Sequence, residues 1–325
     1  MRALVAGTGS IGRKHIAVLR KLLPELEFIF LRRESYEDHL SRSLCATIAS
    51  STHDAIELQP DFALIATPTS LHLELLEPLL LARIPVYIEK PVVSSFDDAS
   101  RLQSVIEQLS SDMPVTQSGF MLRHLGSIKK ICRLISNGEI GRIVRATLEV
   151  GQWLPDWRPV RDYRNSYSAN SELGGGVILD LSHELDIARY LFGEFDIVKG
   201  IAGHFSDLEI DSEDTASILL GNYDGPVVCV NMDYLCRKLR RNYTIVGDKA
   251  TLIWDLVRKT VSIDSEKGSI VVTCTDSDFD FTESFIASWR EFLYAIETGG
   301  VTQQGVEDAL VSTILALRAR ESALV

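Results

Sequence analysis

Short apolar runs alternate with amphipathic stretches over the first third of the chain. The runs have the length and composition of buried strands and lie at residues 2–6, 26–31, 62–66, 86–88 and 115–120. The stretches between them repeat apolar residues at the helical period and lie at 11–23, 70–82 and 96–109. Strands that alternate with helices predict an α/β fold with a doubly wound parallel sheet and right-handed crossovers.

The pattern changes after about residue 141, where polar and apolar residues begin to alternate one by one. This alternation is typical of a mostly antiparallel sheet with one covered face. The runs that show it lie at 142–153, 215–220, 227–235, 241–254, 257–263 and 269–273. Two helical patterns, at 285–297 and 306–320, close the chain. We therefore predict a first domain at residues 1–120 and a C-terminal α+β domain with a large open sheet at residues 121–325.

Length, charge and cysteine content narrow the class of protein. The 325 residues are enough for two domains, and the net charge of -12 argues against nucleic acid as a partner, because no basic excess is present to displace counterions. No apolar stretch is long enough to predict a membrane span, and the N-terminal run lacks the cleavage region of a signal peptide. The five cysteines are scattered and form no Cys-x-x-Cys pair, so we expect cytoplasmic thiols and no metal site.

A glycine-rich turn follows the first predicted strand and opens the first predicted helix. Its residues are Gly7, Thr8, Gly9, Ser10, Ile11 and Gly12, a Gly-x-Gly-x-x-Gly pattern. Gly7 would permit the tight turn, Gly9 a close approach to a pyrophosphate, and Gly12 close helix–strand packing. The helix N-terminus would bind the anion through its N–H groups. The pattern predicts a dinucleotide-binding Rossmann domain, and the alternative is a glycine turn without a ligand.

Two arginines, Arg32 and Arg33, stand where the second strand is expected to end. An acidic residue at this place binds the ribose 2′-hydroxyl in NAD-binding domains. Because a guanidinium pairs bidentately with phosphate, the arginines favour NADP over NAD. Two alternatives stay open: both arginines are solvated loop residues, or Glu34 reaches the ribose hydroxyls and the cofactor is NAD.

Lys90 and a later helix carry candidate catalytic chemistry. Lys90 precedes Pro91 at the end of a predicted parallel strand, where ligands bind in open α/β sheets, and its ammonium group can stabilise an alkoxide. Asp180 and His183 lie three apart in a predicted helix over 177–192, so they share one face and suit proton transfer. The alternatives are an ordinary surface lysine and an Asp–His pair with structural roles.

These features together resemble the Gfo/Idh/MocA family of oxidoreductases. The matching motifs, in the family's order, are GTGSIG at 7–12, ATPTSLH at 66–72, EKP at 89–91, SGFMLR at 118–123, SNGEIG at 136–141 and GGGVILDLSHELD at 174–186. The resemblance implies a Rossmann domain and a second domain whose open sheet forms the interface of a homodimer or homotetramer. It also implies NAD(P)-dependent hydride transfer to or from a hydroxyl or keto carbon of a sugar, sugar acid or nucleotide sugar.

The resemblance also implies roles for individual residues. Lys90 would polarise the substrate oxygen, His183 would transfer the hydroxyl proton, and Asp180 would pair with the histidine. The other implied contacts are Thr67, Pro68, His72 and Glu89 beside the cofactor and Arg123 facing the substrate. Two departures stand out: three positions separate Asp180 from His183 where many members have four, and Ser182 stands where many have glycine.

The segment 153–176 is rich in Arg, Tyr, Ser and Gly and resembles a subgroup linked to bacterial surface-sugar biosynthesis. An indole can stack on a sugar ring, and arginines pair with carboxylate or phosphate. The residues expected to contact an anionic sugar are Trp157, Arg158, Arg161, Tyr163 and Arg164. The alternative is an arm that contacts another subunit.

Two other functions fit the same sequence. One is a redox-neutral enzyme, an epimerase or a lyase, that retains its cofactor through each turnover. The other is a nicotinamide-binding sensor or scaffold without catalysis. The presence of both Lys90 and His183 favours a dehydrogenase over a sensor, because a sensor has no need of the pair.

Overall fold

The computed structural model describes residues 1–32, 38–159 and 162–325. The chain forms two compact units. The first comprises Met1–Met121 and Phe285–Val311, and the second comprises Leu122–Ser284 and Ser312–Val325. We expected the second domain to run without interruption from residue 121 to residue 325. It does not, because residues 285–311 belong to the first unit.

The first unit is built on a six-stranded parallel sheet in the order β3-β2-β1-β4-β5-β6. Its strands are β1 (Arg2–Ala6), β2 (Glu27–Leu31), β3 (Thr47–Ala49), β4 (Phe62–Ile65), β5 (Val86–Ile88) and β6 (Thr116–Ser118). Its helices before β6 are α1 (Ser10–Leu22), α2 (His39–Ser43), α3 (Thr52–Glu57), α4 (His72–Leu81) and α5 (Phe96–Leu109). The predicted doubly wound sheet is confirmed. Its strand order reverses between β1 and β4, the place where ligands bind in this topology.

Helix α9 (Phe281–Thr298) closes the core of the first unit. Its Trp289 and Phe292 are fully buried, and Trp289 stacks on Tyr87 of β5 with 4.3 Å between ring centroids. Phe62 of β4 packs against both rings of the helix. Aromatic rings of this size dominate core energetics, which explains why a segment so distant in sequence belongs to this unit.

The second unit contains an eight-stranded sheet in the order β14-β13-β12-β11-β7-β10-β9-β8, antiparallel except for the β7–β10 pair. Its strands are β7 (Ile143–Gly151), β8 (Ile197–Gly203), β9 (Thr215–Gly221), β10 (Val227–Asp233), β11 (Arg240–Gly247), β12 (Ala250–Asp255), β13 (Thr260–Ser265) and β14 (Gly268–Val271). Burial alternates along β9 to β12, so the predicted half-covered sheet is confirmed. Strand β8 escaped prediction because Gly200 and Gly203 interrupt its apolar pattern.

The remaining helices are α6 (Gly126–Ser136), α7 (Val177–Asp180), α8 (His183–Phe192) and α10 (Val306–Ala323). The single helix predicted over 177–192 is therefore interrupted between α7 and α8. Leu181 leaves the helical conformation, with φ -99° and ψ 23°, so Asp180 ends α7 and His183 begins α8. The prediction that Asp180 and His183 share one face of a single helix was therefore wrong. No helix in the described ranges has both the length and the apolar composition to cross a membrane.

A buried ion pair ties α8 to the sheet of the second unit. Glu184 is fully buried and accepts hydrogen bonds from Arg241 Nε at 2.6 Å, from an Arg241 Nη at 2.9 Å and from the Tyr243 hydroxyl at 3.0 Å. A buried carboxylate is tolerated only when its charge and lone pairs are satisfied in this way. The pair fixes the helix that begins at His183.

His124 makes the stability of the protein sensitive to acid. Burial lowers the pKa of His124 to about 4, and the charges of Lys129 and Arg123 act in the same direction. Unfolded histidine has a pKa of about 6.5, so the folded state resists protonation and stability falls as the pH drops from 6.5 towards 4. We expect the Tm, followed by circular dichroism, to fall over this range, and His124→Gln to flatten the fall. The exposed His53 supplies the control, since His53→Gln should keep the wild-type profile; a wild-type profile in His124→Gln would contradict the assignment.

Candidate active site

The loops after β1 and β4 meet where the strand order of the first sheet reverses. Gly7 has a φ of +97°, and a Cβ at this position would collide with the carbonyl group of Ala66. A Cβ on Gly12 would collide with the carbonyl oxygen of Gly7. Both positions require glycine, because the backbone of α1 approaches the two strand ends closely.

The space at Gly9 fits part of a ligand. A Cβ on Gly9 would meet no atom within 4 Å, and its φ of -69° suits any residue. The first turn of α1 contains no acidic residue, and no side chain caps it. The buried Thr67 Oγ1, in the loop after β4, has no hydrogen-bond partner among the described residues. Open space, the N–H groups of a helix N-terminus and an unsatisfied hydroxyl together fit the pyrophosphate of a dinucleotide.

Arg13 adds positive charge to the same end of α1, and sequence reasoning missed it. Its Nε donates to the carbonyl oxygen of Thr8 at 3.1 Å. A cation in the first turn opposes the helix dipole, so its presence there suits an anionic ligand. Its place directly after the last glycine of the pattern was the available signal. Ser10 and Ile11 form the turn before it, and Pro68 precedes a 3-10 turn at Thr69–Leu71.

Arg32 follows β2, and the protein itself engages its guanidinium. An Nη lies 3.1 Å from Asp38 Oδ1, the group lies 5.4 Å from the centroid of the Phe30 ring, and the side chain is 8% exposed. The backbone N–H of Ser41 and the guanidinium hold the pKa of Asp38 down at about 2. The alternative of a solvated loop residue is therefore wrong for Arg32, whereas its contact with a 2′-phosphate stays a prediction. Arg33 and Glu34 lie outside the described residues.

Lys90 lies at the carboxyl end of β5, on a segment whose backbone and side chains are held by several hydrogen bonds. The N–H of Glu89 donates to the carbonyl oxygen of Ile65 at 2.9 Å, and the peptide bond to Pro91 is cis. The Glu89 carboxylate lies 2.7 Å from Nε2 of the buried His15 and accepts from the N–H of Lys90 at 3.2 Å. The backbone of Lys90 is thus fixed at the sheet edge where ligands bind.

His72 holds the same segment from another direction. It is buried, its Nδ1 lies 3.0 Å from the carbonyl oxygen of Pro91, and its Nε2 lies 3.0 Å from that of Thr67. Burial lowers the pKa of His72, and the hydrogen bonds to the carbonyl oxygens of Thr67 and Pro91 act in the opposite direction. Both ring nitrogens contact backbone carbonyls, so His72 links the loops after β4 and β5, and its place beside the cofactor stays a prediction.

In the second unit, Tyr234 orients Asp180. The Tyr234 hydroxyl donates to Asp180 Oδ2 at 2.7 Å, and burial together with this carboxylate raises the pKa of Tyr234 well above its ordinary value. Trp157 packs edge-on against Tyr234, with 5.2 Å between centroids, and its indole N–H donates to Gln152 at 3.1 Å. Sequence reasoning missed Tyr234; its position directly after β10 was the available signal.

Buried Glu213 fixes the glycine-rich entry to α7. Its backbone carbonyl accepts from the N–H of Val177 at 2.9 Å, and its Oε1 accepts from the N–H of Ile178 at 3.3 Å. A Cβ on Gly176, whose φ is +117°, would collide with the Glu213 carboxylate. Burial raises the pKa of Glu213. These contacts set the backbone that leads to Asp180 and then to His183.

His183 is half-buried and follows Ser182, which is fully buried. The hydroxyl of Ser182 has no hydrogen-bond partner among the described residues. Burying an unsatisfied hydroxyl costs free energy of folding, and glycine at this position would avoid that cost. Nothing else in the structure explains the serine.

The Arg123 guanidinium, which we expected to face the substrate, pairs with a carboxylate of the protein, and its contact with the substrate stays a prediction. Its Nε lies 2.9 Å from Oδ2 of the fully buried Asp186, and an Nη lies 2.5 Å from Oδ1. Asp186 also accepts from the Ser312 hydroxyl at 2.6 Å, and the guanidinium lies 5.0 Å from the centroid of the Tyr190 ring. The guanidinium compensates a buried carboxylate, which needs such a partner in the interior.

The segment 153–176 also differs from the expected arginine cluster. Arg164 lies 2.8 Å from Asp162 and 2.7 Å from Glu209, so its charge is paired with carboxylates of the protein. The Tyr163 hydroxyl accepts from the N–H of Glu209 at 3.3 Å. Arg158 is half-buried, and Arg161 lies outside the described residues. The substrate contacts of Trp157, Arg158, Tyr163 and Arg164 stay predictions.

Two family models match the chain. The model described as an oxidoreductase family with an NAD-binding Rossmann fold matches residues 1–115, and the GFO/IDH/MocA C-terminal domain matches residues 128–253. The chain belongs to the Gfo/Idh/MocA family. The resemblance drawn from the motifs is confirmed. The protein is an NAD(P)-dependent oxidoreductase that acts on CH–OH groups.

Related proteins span the same length. Myo-inositol 2-dehydrogenase of Thermotoga maritima is 24% identical, over 99% of this chain and 96% of the relative. A levoglucosan dehydrogenase solved with NADH and levoglucosan has a TM-score of 0.84 at 18% identity, over 99% of this chain and 97% of its own. UDP-N-acetylglucosamine 3-dehydrogenase from Acidithiobacillus ferrooxidans has a TM-score of 0.77 at 20% identity, with the same coverage. The structural likenesses confirm the fold.

Proposed function

We propose that the protein interconverts a secondary hydroxyl and a ketone on a polyhydroxylated ring, a cyclitol or a sugar derivative. The observation that carries the proposal is Lys90 at the carboxyl edge of the first sheet, on a backbone segment fixed through Glu89 and Pro91. The names of relatives at full-length coverage, which act on myo-inositol or levoglucosan, support this class of substrate.

Residues of the first unit would hold the cofactor. The N-terminus of α1 and the space at Gly9 would bind the pyrophosphate, with Arg13 close to it and Thr67 Oγ1 as a further hydrogen-bonding group. Pro68 would line the same loop. When bound, the nicotinamide ring supplies the acceptor or donor of the hydride.

The resemblance to the family assigns a separate chemical role to Lys90 and to His183. The Lys90 ammonium donates a hydrogen bond to the oxygen and stabilises the alkoxide that forms. His183 accepts the hydroxyl proton during oxidation and returns it during reduction. The resemblance to the family assigns Asp180, which Tyr234 orients, as the partner of His183.

NADP is the preferred cofactor in this proposal, through Arg33 and with Arg32 as the second contact. Arg33→Ala is expected to weaken NADPH binding about 10- to 100-fold, because it removes a charge-assisted hydrogen bond, and to leave NADH binding within about two-fold. Arg32→Ala should also lower the Tm, since it breaks the pair with Asp38. Titration followed by nicotinamide fluorescence measures both affinities. An equal effect of Arg33→Ala on NADH and NADPH would contradict the 2′-phosphate assignment.

A substrate screen tests the function itself. Wild-type protein is mixed with NAD⁺ or NADP⁺ and with myo-inositol, scyllo-inositol, levoglucosan, gluconate or UDP-N-acetylglucosamine, and reduced nicotinamide is followed by absorbance. We expect at least one ring polyol to be oxidised. Product without an absorbance change would favour the redox-neutral enzyme, and cofactor binding without any product would favour the sensor. The positive charge of Arg158 motivates a second hypothesis, that the substrate is an anionic sugar. Turnover of neutral polyols alone would contradict that hypothesis.

We also propose a cytoplasmic homodimer or homotetramer that associates through the open face of the second sheet. Exposed Ile201, Leu219 and Val227, at 60%, 49% and 58%, give this face apolar character. All five cysteines are free thiols, which supports a reducing compartment.

A further inference from the structure

A series of buried polar contacts runs from α9 to Lys90. The Trp289 indole N–H donates to His15 Nδ1 at 2.8 Å, His15 Nε2 lies 2.7 Å from Glu89 Oε1, and Glu89 Oε2 accepts from the N–H of Lys90 at 3.2 Å. His15 and Trp289 are fully buried, and Glu89 is 8% exposed. All four residues belong to the first unit.

The contacts determine which nitrogen of His15 carries a proton. An indole N–H can only donate, so Nδ1 is the acceptor and carries no proton. Nε2 therefore carries the proton and donates to Glu89, because a doubly protonated ring would set two N–H groups against each other. Each carboxylate oxygen of Glu89 then accepts from one donor, which holds the side chain in a single orientation.

The surroundings leave this series little freedom. The His15 ring packs edge-on against Tyr87 and Phe285, at 5.0 Å and 5.1 Å between centroids. A Cβ on Gly119 would lie 2.7 Å from the Glu89 carboxyl carbon, so the carboxyl group packs directly on that glycine. A close-packed polar group keeps its place only while its partners are present.

We propose that His15 and Glu89 are positioning residues for Lys90. His15 lies on α1, the helix that opens at the glycine loop, and Glu89 directly precedes Lys90. One hydrogen bond thus joins the helix that would hold the pyrophosphate to the segment that bears the ammonium group. It sets the place of that ammonium relative to the cofactor. The inference rests on the catalytic role proposed above for Lys90.

Matched variants separate positioning from packing. His15→Gln keeps an N–H donor for Glu89, His15→Leu removes it, and Glu89→Gln sets an NH₂ group against one of the two donors. The probe is myo-inositol, or the ring polyol with the highest wild-type rate in the screen. We expect kcat to fall about 10- to 100-fold in His15→Leu and Glu89→Gln, because a small displacement of a catalytic group costs this much. The KM of the polyol and the NADH affinity should change less than about three-fold, and His15→Gln should recover most of kcat.

A role in packing alone predicts a different result. It would lower the Tm and weaken NADH binding in both His15 variants, without recovery in His15→Gln, and this outcome would overturn the inference.

Lys90→Ala, measured in parallel, distinguishes two failures. If Lys90→Ala keeps the wild-type kcat, the catalytic role of Lys90 is wrong and the positioning role falls with it. If Lys90→Ala loses activity while His15→Leu and Glu89→Gln keep it, only the positioning role is wrong.

Discussion

Lys90→Ala is expected to lower kcat by about 10²- to 10⁴-fold, the range for a positioned group that acts on the reacting oxygen. The loss falls on kcat because the alkoxide charge develops only in the transition state. The affinity for NADH should stay within about three-fold of wild type, since the pyrophosphate contacts lie on α1 and in the loop after β4. Steady-state kinetics with the best ring polyol and a fluorescence titration with NADH supply the two measurements.

An exposed lysine provides the matched control for this change. Lys21 lies in the last turn of α1, and Lys21→Ala removes the same charge far along the helix from its N-terminus, so kcat should remain at the wild-type value. Lys90→Arg keeps the charge but alters reach and geometry, and it should recover only part of the activity. Wild-type kcat in Lys90→Ala would remove this residue from the mechanism.

Gly9→Ala and Gly12→Ala should separate affinity from stability. A methyl group on Gly9 enters open space, so the Tm is expected to stay unchanged, whereas the affinity for NADH and NADPH should fall more than about ten-fold because the methyl occupies the pyrophosphate's place. A methyl group on Gly12 collides with the Gly7 carbonyl and should cost about 1–3 kcal/mol of stability as well as cofactor affinity. Thermal unfolding and fluorescence titration of both variants measure the two effects.

The two glycines also control for each other. If Gly9→Ala binds both cofactors as tightly as wild type, the pyrophosphate does not lie at the N-terminus of α1. If Gly12→Ala keeps the wild-type Tm, the collision expected between the new methyl group and the Gly7 carbonyl does not destabilise the protein, and the steric requirement for glycine at this position is wrong.

Local patterns were sufficient to predict the architecture of both units. Alternation between strands and helices predicted the parallel sheet, and the two-residue period predicted the half-covered one, because each pattern reports which face of an element is buried. The short elements β3, α2 and α3 have too few residues for either period to show. The return of α9 to the first unit was not predictable either, since its apolar face does not specify which core it joins.

Some features of the candidate site could be predicted from the sequence, and others could not. The glycine pattern implied the close approaches found at Gly7 and Gly12, because backbone sterics depend on local sequence. The pairing of Arg123 with Asp186 and that of Arg164 with Glu209 were not predictable, because these partners lie 63 and 45 positions apart and sequence alone does not place a charge beside a distant partner. Tyr234 was missed for the same reason, since its bond to Asp180 joins residues 54 positions apart.

Transfer of deuterium from substrate to cofactor would demonstrate the hydride transfer of a dehydrogenase. Wild-type protein is incubated with NAD⁺ or NADP⁺ and with myo-inositol carrying deuterium at its ring carbons, and the recovered cofactor is analysed by mass spectrometry; the polyol selected by the screen replaces myo-inositol if its rate is higher. We expect deuterium on the nicotinamide ring of the released cofactor, and we expect Lys90→Ala to lose this transfer. Deuterium that stays wholly on the sugar-derived product, with no labelled cofactor released, would contradict a dehydrogenase.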